Sequence, residues 1–215
     1  ALSSAASDVY KRQVLFIIAC LVLCILAVGL SIGTGPYDIG IIRSYSIIWD
    51  HLTGNPEDQL LDFIVWEKRL PRTVLGILTG AGLAAGGCVM QSILRNPLAD
   101  TYTTGISAGA GLGATLAFTV GLSMASGPMS VVINSFVFAL MPMGVVILVS
   151  KLRGGSSIVM VMAGIAMMYL FNAISAVFKI MSDPNALSAL YAWQLGSVAG
   201  GSWDTMALPA IAVTA

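Results

Sequence analysis

The sequence predicts an all-α, polytopic transmembrane bundle, and three observations support this fold class. Hydrophobic residues make up 57% of the chain, charged residues only 9%, and the mean hydropathy is +0.91, whereas soluble domains carry roughly 25% charged residues. Several uncharged apolar stretches reach about 20 residues or more, the length that a helix needs to cross a bilayer core. Glycines recur at four-residue spacing within these stretches, as in helices that pack closely inside membranes.

The charge balance and the rare reactive residues exclude several function classes. Ten basic residues match ten acidic ones, so no basic excess is available for nucleic acid. The cysteines lie in apolar segments and His51 is the only histidine, so neither a disulfide framework nor a metal site is predicted. The chain lacks a GxxxxGK[ST] phosphate loop and a catalytic constellation, so it is predicted to be neither an ATPase nor another enzyme.

The first predicted membrane helix is the uncharged run from Gln13 to about Gly35, which follows Lys11 and Arg12. A cleaved signal peptide is the less favoured alternative, because the run is long and lacks a clean cleavage signature. The polar segment from Asp38 to Arg72 is predicted to lie outside the bilayer core. Within it, the residues from Ile39 to Leu52 are predicted to form an interfacial helix anchored by Tyr45 and Trp49.

Four further crossings are predicted downstream. The second helix runs from Thr73 to Leu94, about 33 Å at 1.5 Å per residue. The uncharged stretch from Thr101 to Ser150 is long enough for the third and fourth helices, with a turn at residues 123–130. The fifth helix runs from Ile158 to Phe178. A sixth helix begins after Trp203 and is expected to be unfinished, so we expect the chain to be truncated at its C-terminus.

Small-xxx-small glycine pairs occur in the second helix and again at the start of the third. Such pairs allow helix backbones to approach closely where lipid gives no hydrophobic drive for association. We therefore predict that the following glycines are helix-packing sites: Gly76, Gly80, Gly86, Gly105, Gly109 and Gly113.

An ordered series of motifs links this chain to a known family. RLPRT at residues 69–73 is followed by a glycine-rich helix ending in MQ, by RNPLAD at 95–100, by GISAGAGLGA at 105–114 and by WQLGS at 193–197. The series resembles the FecCD-type permeases, the membrane subunits of ABC importers for iron-siderophores, haem and vitamin B12. The resemblance implies that residues 1–215 form a single transmembrane permease domain, the N-terminal part of a permease with about ten helices.

Orientation and a docking surface follow partly from the resemblance. Alternating crossings place five Lys or Arg residues on each side of the membrane, so charge bias alone does not decide. The first-helix flank and the resemblance favour a cytoplasmic N-terminus in the inner membrane. Lys68, Arg69 and Arg72 then lie outside, where they are predicted to dock a periplasmic or lipid-anchored substrate-binding protein. Snorkelling to lipid headgroups is the alternative.

Two further groups of candidate residues concern ligand movement. The fifth helix is rich in Met and aromatic residues, which are more often packing residues. The resemblance implies that this helix lines the pathway between two permease copies, with these candidates: Met167, Met168, Phe171 and Asn172.

The joints after the second and fourth helices combine a proline or paired glycines with short polar residues. They are predicted to be a cytoplasmic gate, with simple turns as the alternative; the gate residues are Ser156, Ser157, Asn96 and Pro97.

The implied function is inward transport of an iron chelate (siderophore or haem) or cobalamin by ATP-driven alternating access. The implied partners are a second, identical or homologous, permease copy, two ATP-binding subunits that hold ATP and Mg, and the external binding protein. This chain itself is expected to bind no cofactor. An ion-coupled secondary transporter or channel is the main alternative, disfavoured because the interiors of the predicted crossings contain no charged residue. A membrane anchor subunit is a third possibility.

Overall fold

The computed structural model describes residues 2–100, 102–127 and 129–214, and every regular element in these ranges is a helix. Four helical segments are long and apolar enough to cross a membrane: Val9–Gly33, Gln59–Leu94, Ser130–Leu152 and Ser157–Ile180. The all-α, polytopic fold class is therefore confirmed. The chain divides into two compact units, one formed by Ala1–Gly80 with Val198–Ala215 and the other by Ala81–Ser197.

The first unit is built around the end of the first membrane helix. Its elements are α1 (Leu2–Gly33), α2 (Ile41–Leu52), α3 (Gln59–Phe63), a π-helix (Ile64–Arg69), the first part of α4 (Leu70–Leu94), a 3-10 helix (Trp203–Thr205) and α9 (Ala207–Thr214). Its core contains Ile32, Ile39 and Val65, all buried. The helix predicted at residues 39–52 is confirmed as α2, which packs Ile47 and Ile48 against this core.

The second predicted membrane helix begins earlier than expected. The prediction placed its start at Thr73, whereas the helical segment is continuous from Gln59. Asp58 caps it by accepting hydrogen bonds from the backbone N–H groups of Leu60 and Leu61, at 2.9 and 3.2 Å. The π-helix ends at Arg69, two residues before Pro71. The ring of a proline would clash with a carbonyl of the previous α-helical turn, and a wider turn leaves room for it.

The second unit is organised around a short central helix, α5 (Ile106–Thr119). It packs against α6 (Ser130–Leu152), α7 (Ser157–Ile180) and α8 (Pro184–Leu195). Ala108, Leu112 and Leu116 of α5 form a buried cluster with Phe171 of α7. The third crossing was predicted within a stretch long enough for two spans, but 14 residues give only about 21 Å of helix. Because α5 is surrounded by protein, non-helical backbone can continue its path without facing lipid.

No element was predicted for the residues that form α8. Asp183 begins this helix by accepting hydrogen bonds from the N–H groups of Asn185 and Ala186, at 2.9 and 3.1 Å. Pro184 occupies the first helical turn, and Gly196 ends the helix with φ of 75°. An acidic N-cap, a proline at the start and a glycine after the end are ordinary helix signals, so α8 was readable from the sequence.

Candidate functional site

Two close approaches hold α5 in place within the second unit. A Cβ built on Gly109 would lie 2.6 Å from the carbonyl oxygen of Phe138, and one on Gly113 would lie 2.7 Å from that of Asn134. Real Cβ atoms do not come so near, so only glycine allows α5 to lie directly on the backbone of α6. Asn134 is fully buried and donates to the carbonyls of Gly113 and Leu122, at 2.7 and 3.1 Å.

The segment before α5 lies against α7 in the same manner. A Cβ on Gly164 would be 2.6 Å from the carbonyl oxygen of Thr103, and one on Gly105 would be 3.0 Å from that of Gly164. Gly105 also has φ of 78°, in the left-handed region that favours glycine. The two backbones therefore touch, and this contact fixes the start of α5 beside the middle of α7.

A cleft of about 440 Å³ opens between α5, α7 and α8. It is long, because its lining on α7 extends from Met168 to Lys179, about 16 Å along a helix. The side chains that carry its polar and aromatic character come from all three helices and from the segment before α5: Tyr102, Ser107, Asn172, Ser175, Lys179, Trp193 and Gln194.

The helix α7 presents two different faces in the second unit. Met168, Asn172, Ser175 and Lys179 lie three or four residues apart, so they form one stripe, and all four line the cleft. Along this stripe the side chains change from apolar to polar and then to cationic. Lys179 is in the last turn of α7, and its cationic group stands at one end of the cleft.

The face of α7 next to this stripe belongs to the core. Phe171 is buried against Ala108, Leu112 and Leu116, and both Met167 and Met168 pack against this cluster. Of the four residues predicted to line the pathway, Met168 and Asn172 line the cleft. Met168 also packs against the core cluster, and Phe171 and Met167 belong to the core packing alone. The positions of Met and aromatic residues in the sequence therefore did not distinguish the residues that line the cleft from those that pack only in the core.

The α8 motif completes the cleft. The Nζ of Lys179 donates to Oε1 of Gln194 at 3.4 Å and lies 5.3 Å from the ring centre of Tyr191. A Cβ on Gly111 would meet Nε2 of Gln194 at 3.8 Å, an ordinary contact distance. The WQLGS motif was noted in the sequence, but its role beside Lys179 was not, because the two lie on separate helices.

The predicted gate residues fall partly together. Asn96 and Ser157 line one cleft of about 290 Å³ with Leu94, Arg95 and residues of the first turns of α7. Asn96 accepts a hydrogen bond from the N–H of Leu98 at 2.9 Å, which closes a tight turn over Pro97. Ser156 is the N-cap position of α7. Their role as a gate stays a prediction.

The joint before α7 has the backbone that its glycines were predicted to allow. Gly154 and Gly155 have φ of 75° and 74°, and the N–H of Gly155 donates to the carbonyl of Ser150 at 2.8 Å. Two successive left-handed residues are strained for any side chain with a Cβ. The pair therefore ends α6 and turns the chain sharply into α7.

The residues of the basic cluster, Lys68, Arg69 and Arg72, differ in their contacts. Arg69 donates from Nη1 to the carbonyl of Ile32 at 2.5 Å and from Nη2 to the carbonyl of Tyr37 at 2.6 Å. It therefore satisfies a carbonyl at the C-terminal end of α1, where a cation is favoured. Arg72 and Lys68 are exposed, with the Nζ of Lys68 lying 5.4 Å from the ring centre of Phe63. Docking stays a prediction, and these two residues are the accessible ones.

A stacked set of rings lies beside the basic cluster in the same unit. His51 stacks on Trp66 with ring centres 3.9 Å apart, and its Nδ1 lies 2.8 Å from an Asp62 carboxylate oxygen. Trp203 donates from Nε1 to the carbonyl of Trp66 at 3.0 Å. These contacts fix Trp203 onto the π-helix, and His51 serves packing and hydrogen bonding in this unit.

The glycines of α4 differ from those of α5. No described atom lies within 4 Å of a Cβ built on Gly76, Gly80 or Gly86. Close helix packing at these three glycines therefore stays a prediction, and the helix that would pack there is not among the described residues.

Comparisons with known proteins agree with the motif series. The sequence model of the FecCD transport family matches residues 20–215. An ABC transporter permease protein of Methanocaldococcus jannaschii is 32% identical over 202 residues, which cover 90% of this chain and 56% of that protein. The Fe(3+)-citrate import system permease of Bacillus subtilis is 31% identical, covering 90% of this chain and 55% of the relative.

A third relative and a solved structure extend the comparison. The molybdate import system permease of Haemophilus influenzae is 30% identical over 86% of this chain and 54% of its own length. A structure described as an inward-facing conformation of a metal-chelate type ABC transporter superposes with a TM-score of 0.66 and 26% identity, covering 87% of this chain and 55% of the other. The chain thus spans about half the length of the relatives it matches.

Proposed function

Because this chain belongs to the FecCD transport family, we propose that it forms part of the permease subunit of a binding-protein-dependent ABC importer. The ligand class is a metal chelate: an iron chelate such as a siderophore or haem, or cobalamin. The family match carries this proposal, since it extends over residues 20–215. Relatives named for ferric citrate and for molybdate support anionic metal species as members of the ligand class.

The proposed assembly contains several subunits. Two permease copies, identical or homologous, enclose the pathway, and two separate ATP-binding subunits hold ATP and Mg and supply the energy. A periplasmic or lipid-anchored binding protein delivers the ligand to the outer face, where Lys68 and Arg72 are exposed. The protein is an integral membrane protein, which we place in the cytoplasmic (inner) membrane with its N-terminus in the cytoplasm.

The proposed mechanism is alternating access. ATP-driven closure of the ATP-binding subunits moves the permease helices, and the pathway opens first to one side and then to the other. The cleft along α7 supports this mechanism, because its stripe combines a methionine, an amide, a hydroxyl and a cation that a ligand could contact. The α6–α7 joint gives it a turn built from two left-handed glycines.

The direct test is ATP-driven uptake. The full permease containing this sequence is reconstituted in vesicles with its ATP-binding subunits and binding protein, and radioactive ferric citrate is supplied outside. We expect accumulation that requires ATP and persists when ionophores remove ion gradients. Uptake that needs an ion gradient but no ATP would instead identify an ion-coupled secondary transporter.

A second test concerns the gate. Cysteines at Ser156 or Ser157 are expected to cross-link between the two permease copies, because the α6–α7 joint is proposed to narrow the cytoplasmic end of the pathway. The yield should change when ATP binds to the assembled complex. Cysteine at Ser130, at the start of α6 rather than at this joint, is the control. Cross-linking that is absent, or indifferent to nucleotide in an active complex, would remove these residues from the gate.

A further inference from the structure

The stripe of α7 that lines the cleft ends in an uncompensated positive charge. Within the part of the chain that the structure describes, the contacts of the Lys179 ammonium are the amide oxygen of Gln194 at 3.4 Å and the ring of Tyr191 at 5.3 Å. Neither partner carries a negative charge. Asp183, at the start of α8, accepts hydrogen bonds from the N–H groups of Asn185 and Ala186 and does not line the cleft. The cleft therefore contains a cation and no anion among its lining residues.

The same stripe contains a buried hydroxyl without a partner. Ser175 is only 6% exposed, lines the cleft, and its Oγ has no hydrogen-bond partner among the described residues. A buried hydroxyl without a partner costs free energy, and serine in a helix usually donates to the carbonyl one turn earlier. Ser182, in contrast, makes this bond to Phe178 at 2.6 Å. Ser175 is thus left free to bond to something that enters the cleft.

The two observations lie on one helix face, one turn apart. Residues four positions apart on a helix are neighbours, so the Ser175 hydroxyl and the Lys179 ammonium face the same part of the cleft. Asn172 adds an amide one turn further along the stripe, and Met168 follows it with an apolar thioether. Between apolar helices the effective dielectric constant is lower than in water, so an ammonium attracts an anion more strongly there.

We propose that this cleft is an anion-binding site of the pathway. Lys179 pairs with a carboxylate or oxyanion group of the ligand, Ser175 and Asn172 hydrogen-bond its neighbouring oxygens, and Met168 contacts its apolar part. The inference rests on the proposed function and sharpens it, because it selects anionic chelates, such as metal carboxylate complexes, over neutral ones. Gln194 holds the ammonium at the end of the cleft until the anion replaces it as the partner.

Trp193 supplies a reporter inside the cleft. It lines the site together with Lys179, and a bound ferric chelate quenches the fluorescence of a nearby indole. The full permease is reconstituted in phosphatidylcholine vesicles and titrated with ferric citrate, an anionic probe, and with ferrichrome, a neutral ferric hydroxamate. The Trp193→Phe variant identifies the part of the signal that comes from the cleft.

The decisive variant is Lys179→Gln. Loss of a charge-assisted contact is expected to raise the half-saturating concentration of ferric citrate about tenfold and to leave ferrichrome unchanged. Lys179→Arg keeps the charge and should bind ferric citrate nearly as well as the wild type. Lys151→Gln removes an exposed cation at the end of α6 and should have no effect. Ser175→Ala should weaken ferric citrate about threefold, as for a lost neutral hydrogen bond.

Lipid phosphate offers the same anionic chemistry as a ligand, and the vesicle composition distinguishes the two. If Lys179 binds a lipid headgroup instead, phosphatidylglycerol will reduce its availability, and Lys179→Gln will bind ferric citrate as tightly as the wild type in phosphatidylcholine. That result overturns the proposal. So does a wild-type protein that shows no Trp193-dependent quenching by ferric citrate.

Failure of this inference is separable from failure of the proposed function. A wild type that imports ferric chelates with ATP, alongside a Lys179→Gln variant with unchanged binding, overturns only the anion site. A wild type that imports neither the anionic nor the neutral chelate contradicts the proposed function, while the binding titration still decides on the anion site.

Discussion

Two series of glycines with the same spacing lie in different surroundings. Gly109 and Gly113 of α5 lie so close to the α6 backbone that a Cβ would come within 2.6 and 2.7 Å of its carbonyl oxygens. Gly76, Gly80 and Gly86 of α4 have no described atom within 4 Å of the same position. Small-residue spacing therefore indicates that a helix face permits close approach, while only the fold shows whether the chain itself supplies the neighbour.

The two arginines of the RLPR motif divide in the same way. Arg69 donates to the carbonyl of Ile32 in the last turn of α1 and to that of Tyr37 after it, and a Cβ on Gly35 would lie 2.7 Å from its Nη2. Arg72 is exposed and has no hydrogen-bond or ion-pair partner among the described residues. In both pairs of features, one member is satisfied within the chain, and the other has no such contact among the described residues. The second member is therefore accessible to the permease copy or binding protein proposed above.

The largest expected effect is at the satisfied glycines. Gly109→Ala or Gly113→Ala places a Cβ against backbone atoms that cannot rotate away, so α5 and α6 must separate, at a cost of about 2 kcal/mol or more. Thermal unfolding in detergent measures this loss. Gly111→Ala on the same helix is the control, because its Cβ would stand 3.8 Å from Gln194 and alanine adds helix propensity of up to about 1 kcal/mol. Equal stability of the three variants would contradict the close approach.

The two arginines give the next effect. Arg69→Gln leaves the carbonyls of Ile32 and Tyr37 without their charged donor and is expected to cost about 2 kcal/mol. Arg72→Gln should change the free energy of unfolding by less than about 0.5 kcal/mol. Unfolding in detergent compares the two variants, and a destabilising Arg72→Gln with a neutral Arg69→Gln would reverse the assignment.

For docking, the larger effect is expected at Arg72 and not at Arg69. Charge reversal of Arg72 together with Lys68 should weaken binding of the substrate-binding protein, and reduce its salt dependence, without unfolding the permease. Charge reversal of Arg69 is a poorer test of docking, since it also removes the hydrogen bonds to the carbonyls of Ile32 and Tyr37. An unchanged affinity for the binding protein in the Lys68 and Arg72 double reversal would exclude this surface.

The smallest effect on the subunit itself is expected at the α4 glycines. Gly80→Leu or Gly86→Leu should change the stability of the isolated subunit by less than about 1 kcal/mol, because a Cβ at either position has no described neighbour within 4 Å outside its own helix backbone. In the assembled complex the same variants should lower stability in detergent if a partner helix packs there. A stable complex that no longer transports with Gly86→Leu would instead indicate a direct role in the pathway.

Much of the fold and part of the candidate site were readable from the sequence. Long uncharged runs predicted the helices now seen as α1, α4, α6 and α7, because a bilayer core requires apolar length. The motifs gave the family, and the paired glycines before α7 predicted a backbone closed to other residues. The helical spacing of Met168, Asn172, Ser175 and Lys179 was visible in the sequence. Met167 and Phe171 on the same helix, however, fitted the prediction of a Met-rich and aromatic pathway lining equally well.

The sequence by itself determined the long apolar helices, since hydropathy and glycine spacing act locally. Only the tertiary structure decided which face of α7 is core and which lines the cleft, that Arg69 is held by the end of α1, and that Lys179 meets Gln194 of α8. These facts depend on contacts between residues far apart in the chain. A local sequence pattern determines whether a segment is helical and which residues lie on each face of the helix. Which other helix packs against each face is determined by the tertiary fold.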